Sequence, residues 1–427
     1  MNKLVRLLCR NPVMDTLIHL KGNGRACLWT EPLWGIPYNL YTPFVSVYMA
    51  QLGMSPTQIG LVSTLFFLSQ VVWSLLSGPL TDKLGRRVCT VIFDVLSWSV
   101  PCLIWMCAQS YVWFIVAAVF NGAWRVTENS WGLLMAEEAP EDKLVHMYSI
   151  THIAGLVAGF IAPLAYFFVQ EYSVVPTMRA LYFLSFVMMT AKFLILFRLS
   201  HETPVGLRRM ADTKDQSLTH YLADSPRILL AMLREPRTML TVGLIACYTT
   251  VKTVSTNFWP LLVTDKLGIA AENLSVFSTL KSILMLAMYF LLVPHIRVRR
   301  FRRPLLLALF LLSMIQVLMI LMPTGAYALV VLGVLAEAAA VSVLDPLTSS
   351  LQMVNSEAEQ RARILGWFYA LCLAVTAPFG VIAGVLSEIN RSLPFYLNLA
   401  LLLAAVALSI RLAAVSQREE NAAEASL

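Results

Sequence analysis

Long apolar stretches alternate with short polar ones along almost the whole chain. A helix that crosses a membrane needs about 20 mostly apolar residues, and twelve stretches reach that length. The pattern therefore predicts an all-α integral membrane protein with twelve spans. We number them 1 to 12, at 28–50, 57–79, 88–107, 111–134, 147–169, 177–198, 239–263, 272–294, 304–322, 325–350, 362–386 and 393–413.

The longest polar segment, 199–238, follows span 6 and divides the spans into two sets of six. Within it, residues 221–236 place apolar side chains at helical spacing, which predicts a short helix lying at the membrane face. A solvated linker is the alternative. The predicted domains are an N-terminal segment 1–27, a first bundle 28–198, the central loop 199–238, a second bundle 239–413 and a tail 414–427.

Composition supports a membrane location. The chain is 58% hydrophobic and 13% charged, whereas a soluble domain carries roughly 25% charged residues. The seven cysteines lie mostly inside apolar stretches and show neither disulfide nor metal-ligand spacing. We therefore expect no metal ion, no cofactor and no nucleic-acid partner.

The distribution of charge predicts the orientation. With both termini in the cytoplasm, 25 of the 32 Lys and Arg residues fall in cytoplasmic segments. Cytoplasmic loops of membrane proteins carry such an excess of positive charge. The first 25 residues are too polar for a signal peptide. We expect a multi-pass protein of the cell (plasma or inner) membrane with cytoplasmic termini.

A weak internal repeat links the two bundles. A shift of 215 positions aligns Ser63–Thr64–Leu65 with Ser278–Thr279–Leu280 and Ala162–Pro163 with Ala377–Pro378. Parallel repeats of six helices build transporters whose two bundles face each other across a central cavity. Chance matches in a biased composition are the alternative.

The loop between spans 2 and 3, SGPLTDKLGRRVCT, interrupts the apolar pattern with glycine and charge. We predict that Gly78 allows two helix backbones to approach and that Gly85 allows the turn. We expect the charges to form an ion-pair cluster that latches one bundle to the other in one state and releases it in the next. The residues of this loop cluster are Gly78, Asp82, Lys83, Gly85, Arg86 and Arg87.

The sequence GPLTDKLGRR resembles the signature loop of the major facilitator superfamily, in which glycine, aspartate and basic residues have this spacing. The second copy, VPHIRVRRFRR, keeps the proline and the basic charge but lacks the glycine and aspartate. The resemblance covers the whole chain. It implies two six-helix bundles and a secondary transporter working by alternating access. It also implies that spans 1, 4, 7 and 10 line the cavity and that spans 3, 6, 9 and 12 face outward.

Ionisable residues inside the spans are candidates for the transport path. Each costs at least ~2.5 kcal/mol near the bilayer centre and needs a partner, a cavity or a function. Lys281 in span 8 and Asp94 in span 3 lie outside the helices assigned to the cavity, and Asp94 can instead belong to the loop cluster. The candidates on the cavity helices are Glu31, Arg125, Glu128, Lys252, Glu337 and Asp345.

Each candidate has two interpretations. Lys252 is either a structural partner of Glu337 or Asp345, or a contact for an anionic group of the solute. Either of those carboxylates can carry a proton, because low dielectric favours the neutral form. Arg125 and Glu128 are three residues apart and can simply neutralise each other. The resemblance to the Arg-x-x-Gln-Gly pattern of the family's antiporter branch instead implies a proton-coupling role for Arg125.

Aromatic residues gather in span 1. Trp34, Tyr38 and Tyr41 lie too deep for an interfacial belt. We predict that they line the cavity; plain packing is the alternative.

We predict a secondary active transporter of a small polar or charged organic solute, coupled to protons, with efflux favoured over import. It needs only the solute, the bilayer and protons as partners, and a monomer suffices. The first alternative is an uncoupled facilitator or an importer, for example of a sugar or organic anion, in which the charges are structural. The second is a polytopic membrane enzyme or receptor; the catalytic motifs His-Glu-x-x-His, Gly-x-Ser-x-Gly and Cys-x-x-Cys are absent from the sequence.

Overall fold

The computed structural model describes residues 18–139, 141–214, 225–291, 302–354 and 361–425. In these ranges the regular structure is helical throughout. Each predicted span coincides with one helix or a run of consecutive helices, as the apolar pattern predicts. The end of span 8 and most of the second loop copy lie outside the described residues.

Several spans consist of more than one helix. In the first bundle the helices are Gly22–Thr30, Pro32–Tyr41, Thr42–Phe44 and Val45–Gln51 (span 1), Pro56–Leu84 (span 2), Arg86–Asp94, Val95–Ser99 and Val100–Cys107 (span 3), Tyr111–Asn121 and Trp124–Ala136 (span 4), Glu141–Ala158, Gly159–Ile161 and Leu164–Tyr172 (span 5), and Val174–Leu199 (span 6). In the second they are Pro236–Leu261 and Leu262–Lys266 (span 7), Asn273–Leu291 (span 8), Arg302–Leu321 (span 9), Tyr327–Val354 (span 10), Arg361–Ile389 (span 11) and Leu393–Ala425 (span 12).

The described part of the central loop includes two short helices. Ser225–Arg234 lies where the sequence predicts a helix. Pro204–Asp212 was not predicted. The Thr203 hydroxyl accepts a hydrogen bond from the backbone N–H of Gly206 at 2.9 Å, and Pro204 occupies the first helical position. A capping threonine followed by proline is a helix start signal that the apolar pattern alone does not register.

The polar, interrupted spans are mostly those that the resemblance assigns to the cavity. Eight of the described helices are long and apolar enough to cross a membrane by themselves, and these belong to spans 2, 3, 5, 6, 9, 10, 11 and 12. Span 1 changes helix at Glu31 and at Thr42, and span 4 changes helix at Gly122. Span 7 carries Lys252 among polar neighbours. These interruptions put polar groups at membrane depth, where they need protein or water as partners.

Spans 6, 9 and 12 present apolar side chains to the outside of the molecule. Leu194 of span 6, Leu307 of span 9 and Leu403 of span 12 are all more than half exposed. Large exposed apolar surface in a membrane protein faces lipid. This placement agrees with the outward position that the resemblance implies for these helices.

Two faces of the molecule are used below for reference. The loop face carries the turn at Gly85 and the central loop. The far face carries the turns around Gly53, Gly268 and Gly325, where the backbone takes positive φ. Gly85 also has a positive φ of 82°, a backbone conformation that favours glycine. This confirms its predicted role in the turn.

The two bundles approach most closely between spans 2 and 11, towards the far face. Gly60 lies against the backbone of Gly380, and Gly384 lies against Pro56 and Thr57. The Thr64 hydroxyl donates to the carbonyl of Ala377 at 2.6 Å. Small residues let helix backbones approach within membranes. The close approach that was predicted for Gly78 is wrong, because a Cβ there would meet nothing within 4 Å.

Polar contacts join other helices of the two bundles. The Asn257 side-chain amide of span 7 donates to the Ser63 hydroxyl of span 2 at 2.6 Å. The Thr279 hydroxyl of span 8 donates to the carbonyl of Gly159 in span 5 at 3.1 Å. Both contacts replace water as hydrogen-bond partner at membrane depth, so the bundles are held together by directional bonds as well as by packing.

Candidate functional site

Lys252 and Asp345 form an ion pair across the second bundle. The ammonium of Lys252 in span 7 lies 3.0 Å from both carboxylate oxygens of Asp345 in span 10. The Tyr248 hydroxyl, one helical turn from Lys252, donates to the same carboxylate at 2.8 Å. The predicted alternative of a pair between Lys252 and Asp345 is therefore confirmed as geometry.

This pair lies halfway across the membrane and is open on one side. Lys252 follows the start of its helix by 16 residues, which at 1.5 Å per residue is about 24 Å. Its side chain is nevertheless 52% exposed, and that of Asp345 is 28% exposed. A charge facing hydrocarbon at this depth is strongly disfavoured. We therefore expect the exposed side of the pair to face water or polar groups instead of lipid.

Lys281 and Glu337 form a second pair in the same bundle. The ammonium of Lys281 in span 8 lies 2.6 Å from a carboxylate oxygen of Glu337 in span 10. The sequence placed Lys281 outside the helices assigned to the cavity and did not predict this pair. Span 8 packs beside span 10, so the lysine reaches the carboxylate from a helix that was not among the four assigned to the cavity.

Exchanging the charges of Lys281 and Glu337 tests whether this pair is a structural link. Lys281→Met alone is expected to lower the free energy of unfolding by about 2 kcal/mol, because it leaves a carboxylate without its cation. The double variant Lys281→Glu/Glu337→Lys restores the attraction and should recover most of that loss. Thermal unfolding in detergent measures both. Equal instability of the single and double variants would contradict the pairing.

Arg125 of span 4 contacts both bundles. Its guanidinium donates to Glu128 at 2.6 Å and to the side-chain oxygen of Gln70 in span 2 at 2.9 Å. It also stacks over the ring of Trp124 at 4.4 Å and over that of Tyr369 in span 11 at 5.3 Å. The mutual neutralisation expected from the spacing of Arg125 and Glu128 is observed. The stacking on Tyr369 adds a contact across the bundle interface that the sequence did not predict.

Glu31 forms an ion pair inside the first bundle. Its carboxylate accepts a hydrogen bond from Lys192 of span 6 at 2.8 Å, with side-chain exposures of 13% and 6% respectively. Both residues therefore lie within the first bundle, and the partly buried Glu31 has a cationic partner there. Lys192 is a residue that the sequence analysis missed. Its charge at the centre of an outward-facing span was the signal that could have identified it.

The span 1 aromatics divide into two environments. Trp34 and Tyr38 stack with ring centroids 4.7 Å apart, and both contact the edge of Trp98. They are partly buried. Tyr41 is 4% exposed and packs against Tyr182 in the bundle core. The prediction that Tyr41 lines a cavity is wrong, because its helical position turns it towards span 6.

The loop cluster binds the end of the first bundle to the central loop. Arg86, only 4% exposed, donates to Asp82 at 3.1 Å and to Glu137 at the end of span 4 at 3.0 Å. Asp82 also accepts from Arg209, in the first short helix of the central loop, at 2.6 Å. The predicted ion-pair cluster is therefore present. Lys83 lies exposed at the end of span 2.

Glu202 completes the cluster and was not predicted. Its two carboxylate oxygens accept from the backbone N–H groups of Arg86 and Arg87 at 2.9 and 3.0 Å. An anion at the start of a helix satisfies unpaired N–H groups and complements the helix dipole. Arg87 donates to the carbonyl of Phe197 at 2.6 Å. The bonds described here lie within the first bundle and the central loop, and the latch between the two bundles stays a prediction.

Comparison with known proteins identifies the family. The sequence profile described as Major Facilitator Superfamily matches residues 34–368, which is most of the chain. This protein belongs to the major facilitator superfamily. It is therefore a multi-pass membrane transporter of small solutes and not an enzyme, as predicted.

Relatives of this transporter are distant. It is 23% identical over 217 residues to "Multidrug resistance protein MdtG" of Salmonella dublin, a match that spans 49% of this chain and 50% of that protein. The match thus spans about half the length of that curated relative. A match of this extent does not define the solute.

Solved structures confirm the fold. The nucleoside transporter NupG matches with a TM-score of 0.68 and 15% identity, covering 92% of this chain and 99% of that one. A POT family transporter in complex with 5-aminolevulinic acid matches with a TM-score of 0.70 and 11% identity, covering 92% and 96%. The human organic anion transporter MFSD10 matches with a TM-score of 0.62 and 14% identity, covering 90% and 98%. At these identities the likeness shows the superfamily fold alone.

Proposed function

We propose that this transporter carries a small organic solute with an anionic group, which binds at Lys252 in the space between the bundles. The half-exposed ammonium of Lys252 carries the proposal. A lysine held by one carboxylate still has donors to offer, since an ammonium has three. Arg125, stacked over Tyr369 of the opposite bundle, supplies a second cation beside the bundle interface. Aromatic rings near both cations suit a solute with an apolar or aromatic part.

Proton coupling follows from competition for Lys252. A solute anion that binds the ammonium weakens its attraction to Asp345, and a carboxylate that loses its cation takes up a proton more readily. Glu337, eight residues or about two turns away along span 10, is the second candidate proton carrier. The protein would work as a monomer in the cell membrane, with both termini in the cytoplasm and the helix bundles at 28–198 and 239–413. The name of MdtG, a multidrug resistance protein, supports export as the direction.

An uncoupled facilitator or importer is the second candidate function. It is favoured by one observation: Glu31, Glu128, Glu337 and Asp345 each have a cationic partner within 3.0 Å. Carboxylates paired in this way can serve as structural links between helices without carrying protons.

The first experiment is a thermal-shift screen of metabolites and of anionic and cationic drugs on the purified protein, repeated on Lys252→Gln. A ligand with its anionic group at Lys252 should lose about ten- to a hundredfold in affinity, because a hydrogen bond to a charged group contributes about 1.5–3 kcal/mol. The control is Lys266→Gln. Lys266 lies in the same span near the far face and bonds to Ser392 and the carbonyl of Ile320, so its loss should leave affinity unchanged.

Equal binding to wild type, Lys252→Gln and Lys266→Gln would overturn the proposed solute site. Coupling is then measured in proteoliposomes with the ligand that the screen identifies. Transport driven by a pH gradient supports proton coupling. A transport rate that does not depend on the pH gradient supports the facilitator.

A further inference from the structure

A buried triad of ionisable residues lies inside the first bundle, apart from the solute site proposed above. It consists of Glu31 in span 1, Asp94 in span 3 and Lys192 in span 6. The ammonium of Lys192 donates to Glu31 at 2.8 Å. Asp94 is 3% exposed, and its charge interacts with those of Lys192 and Glu31. The sequence analysis assigned Asp94 to the loop cluster as one option, and its surroundings in the triad exclude that.

One carboxylate oxygen of the buried Asp94 has no partner in the part of the chain that the structure describes. Its Oδ2 atom has no hydrogen-bond partner among the described residues. The nearby cation, Lys192, already donates to Glu31. A carboxylate removed from water without donors is strongly disfavoured. Thr127 lies beside Asp94, and its hydroxyl is also buried without a partner in the described structure.

The walls of the triad are aromatic and bring no formal charge. The ammonium of Lys192 lies 5.8 Å from the ring centres of Trp34 and Trp131 and 6.0 Å from that of Phe193. Cys27, a fully buried thiol on span 1, is the other titratable side chain beside the triad among the described residues. Since a thiol is neutral, the triad contains two carboxylates and one ammonium. Its formal charge is therefore one negative unit unless another positive charge is present.

A proton is the cation that fits this environment. A buried carboxylate without its own cation neutralises itself by binding a proton instead of remaining charged. Hard metal cations need several oxygen ligands, and the described residues contain no group of three His, Cys, Asp or Glu side chains able to hold a metal ion. On a neutral Asp94 the carboxyl O–H becomes a donor, and the Thr127 hydroxyl beside it can accept.

We propose that Asp94 holds a proton in this conformation, which makes the Glu31–Asp94–Lys192 triad a protonation site in the first bundle. Its use in transport rests on the proton coupling proposed above, whereas the site itself does not depend on the solute. Glu31 lies on span 1. A movement of span 1 that separates Glu31 from Lys192 would allow the Lys192 ammonium to pair with Asp94 instead. The proton of Asp94 would then be released to water, and the pair that remains would be neutral.

Infrared spectroscopy of the full chain in lipid nanodiscs tests the site without any ligand. Wild type at neutral pH should show the C=O stretch of a neutral carboxylic acid, and Asp94→Asn should lack it. Glu171→Gln, which removes an exposed carboxylate of span 5, should keep it. Glu31→Gln should also lose it, because Lys192 then neutralises Asp94 directly. A band that persists in Asp94→Asn, or is absent from wild type, overturns the proposal.

Charge balance gives a second test that remains informative if one variant is poorly folded. Asp94→Asn and Glu31→Gln each leave one carboxylate for Lys192 and should unfold close to the wild-type temperature. The double variant leaves Lys192 buried without a carboxylate and should unfold well below both. Unfolding of the wild type releases the proton of Asp94, so the free energy of unfolding of the wild type should fall as pH rises. This pH dependence should be smaller in Asp94→Asn. A double variant as stable as the singles overturns the proposal.

The two proposals fail separately. If the transport rate does not depend on a pH gradient while the carboxylic acid band depends on Asp94, the proposal of proton coupling is wrong and that of the protonation site is retained. If transport follows the gradient while the band does not depend on Asp94, the site fails and the coupling stands.

Discussion

Gly380→Ala is expected to reduce transport at least about fivefold while leaving the protein folded. A Cβ at this position would lie 2.6 Å from both the carbonyl oxygen of Gly60 and the hydroxyl of Thr64. The first of these is backbone and cannot rotate away, so spans 2 and 11 must separate. Overpacking of this kind costs about 1–3 kcal/mol. That is enough to shift a two-state conformational balance by about five- to a hundredfold.

Electron-resonance distances between labels on the two bundles measure this separation. We would place the labels at Gln51 and Asn390, which are both exposed near the far face. The distance should lengthen in Gly380→Ala. The matched control is Gly132→Ala, because a Cβ on this helical glycine meets nothing within 4 Å. An unchanged distance together with wild-type transport in Gly380→Ala would contradict the role given to this contact.

Arg86→Met is expected to lower the free energy of unfolding by about 3 kcal/mol and to abolish most transport. The guanidinium is 4% exposed and bridges Asp82 and Glu137. Removing one member of a buried ion pair leaves the other charges uncompensated, which costs about 3–5 kcal/mol. Methionine retains much of the apolar stem, so the loss reports the charge and its hydrogen bonds more than the packing.

The neighbouring arginine provides the control for this experiment. Arg87 donates to the carbonyl of Phe197 and lies 4.0 Å above its ring. The ion pairs described above with Asp82 and Glu137 are made by Arg86 and not by Arg87. Exposed cation–π contacts contribute about 0.5–1 kcal/mol. Arg87→Met should therefore lower the unfolding temperature by a small fraction of the Arg86→Met effect. Equal shifts in the two variants would show that the loop cluster does not depend on the bridge made by Arg86.

The sequence predicted much of this architecture because the bilayer limits the possible structures. A spanning segment needs a certain length and its own internal hydrogen bonds, so apolar stretches convert directly into helices. The same constraint made Lys252, Glu337 and Asp345 visible as candidates, since charges are rare at membrane depth. Gly85 was identified for a local reason, because the turn between spans 2 and 3 requires a positive φ.

The tertiary structure alone decided which charges meet. Lys281, on a helix that was not assigned to the cavity, forms an ion pair with Glu337, and Lys252 forms one with Asp345. Lys192 turns inward to Glu31 although its span also presents side chains such as Leu194 to the outside. Partner choice depends on the rotation of each helix about its axis and on which helices are neighbours. Neither quantity follows from the hydropathy of a single segment.

Close packing between helices shows the same division. The sequence singled out Gly78 in the signature loop, but the backbone contact between the bundles is made by Gly60 and Gly380. Tyr41 likewise packs against Tyr182 instead of facing a cavity. The sequence determined which segments cross the membrane, where the chain turns and which polar residues need an explanation. The ion pairs and hydrogen bonds of those polar residues join different helices. They are therefore determined only when the bundles have packed.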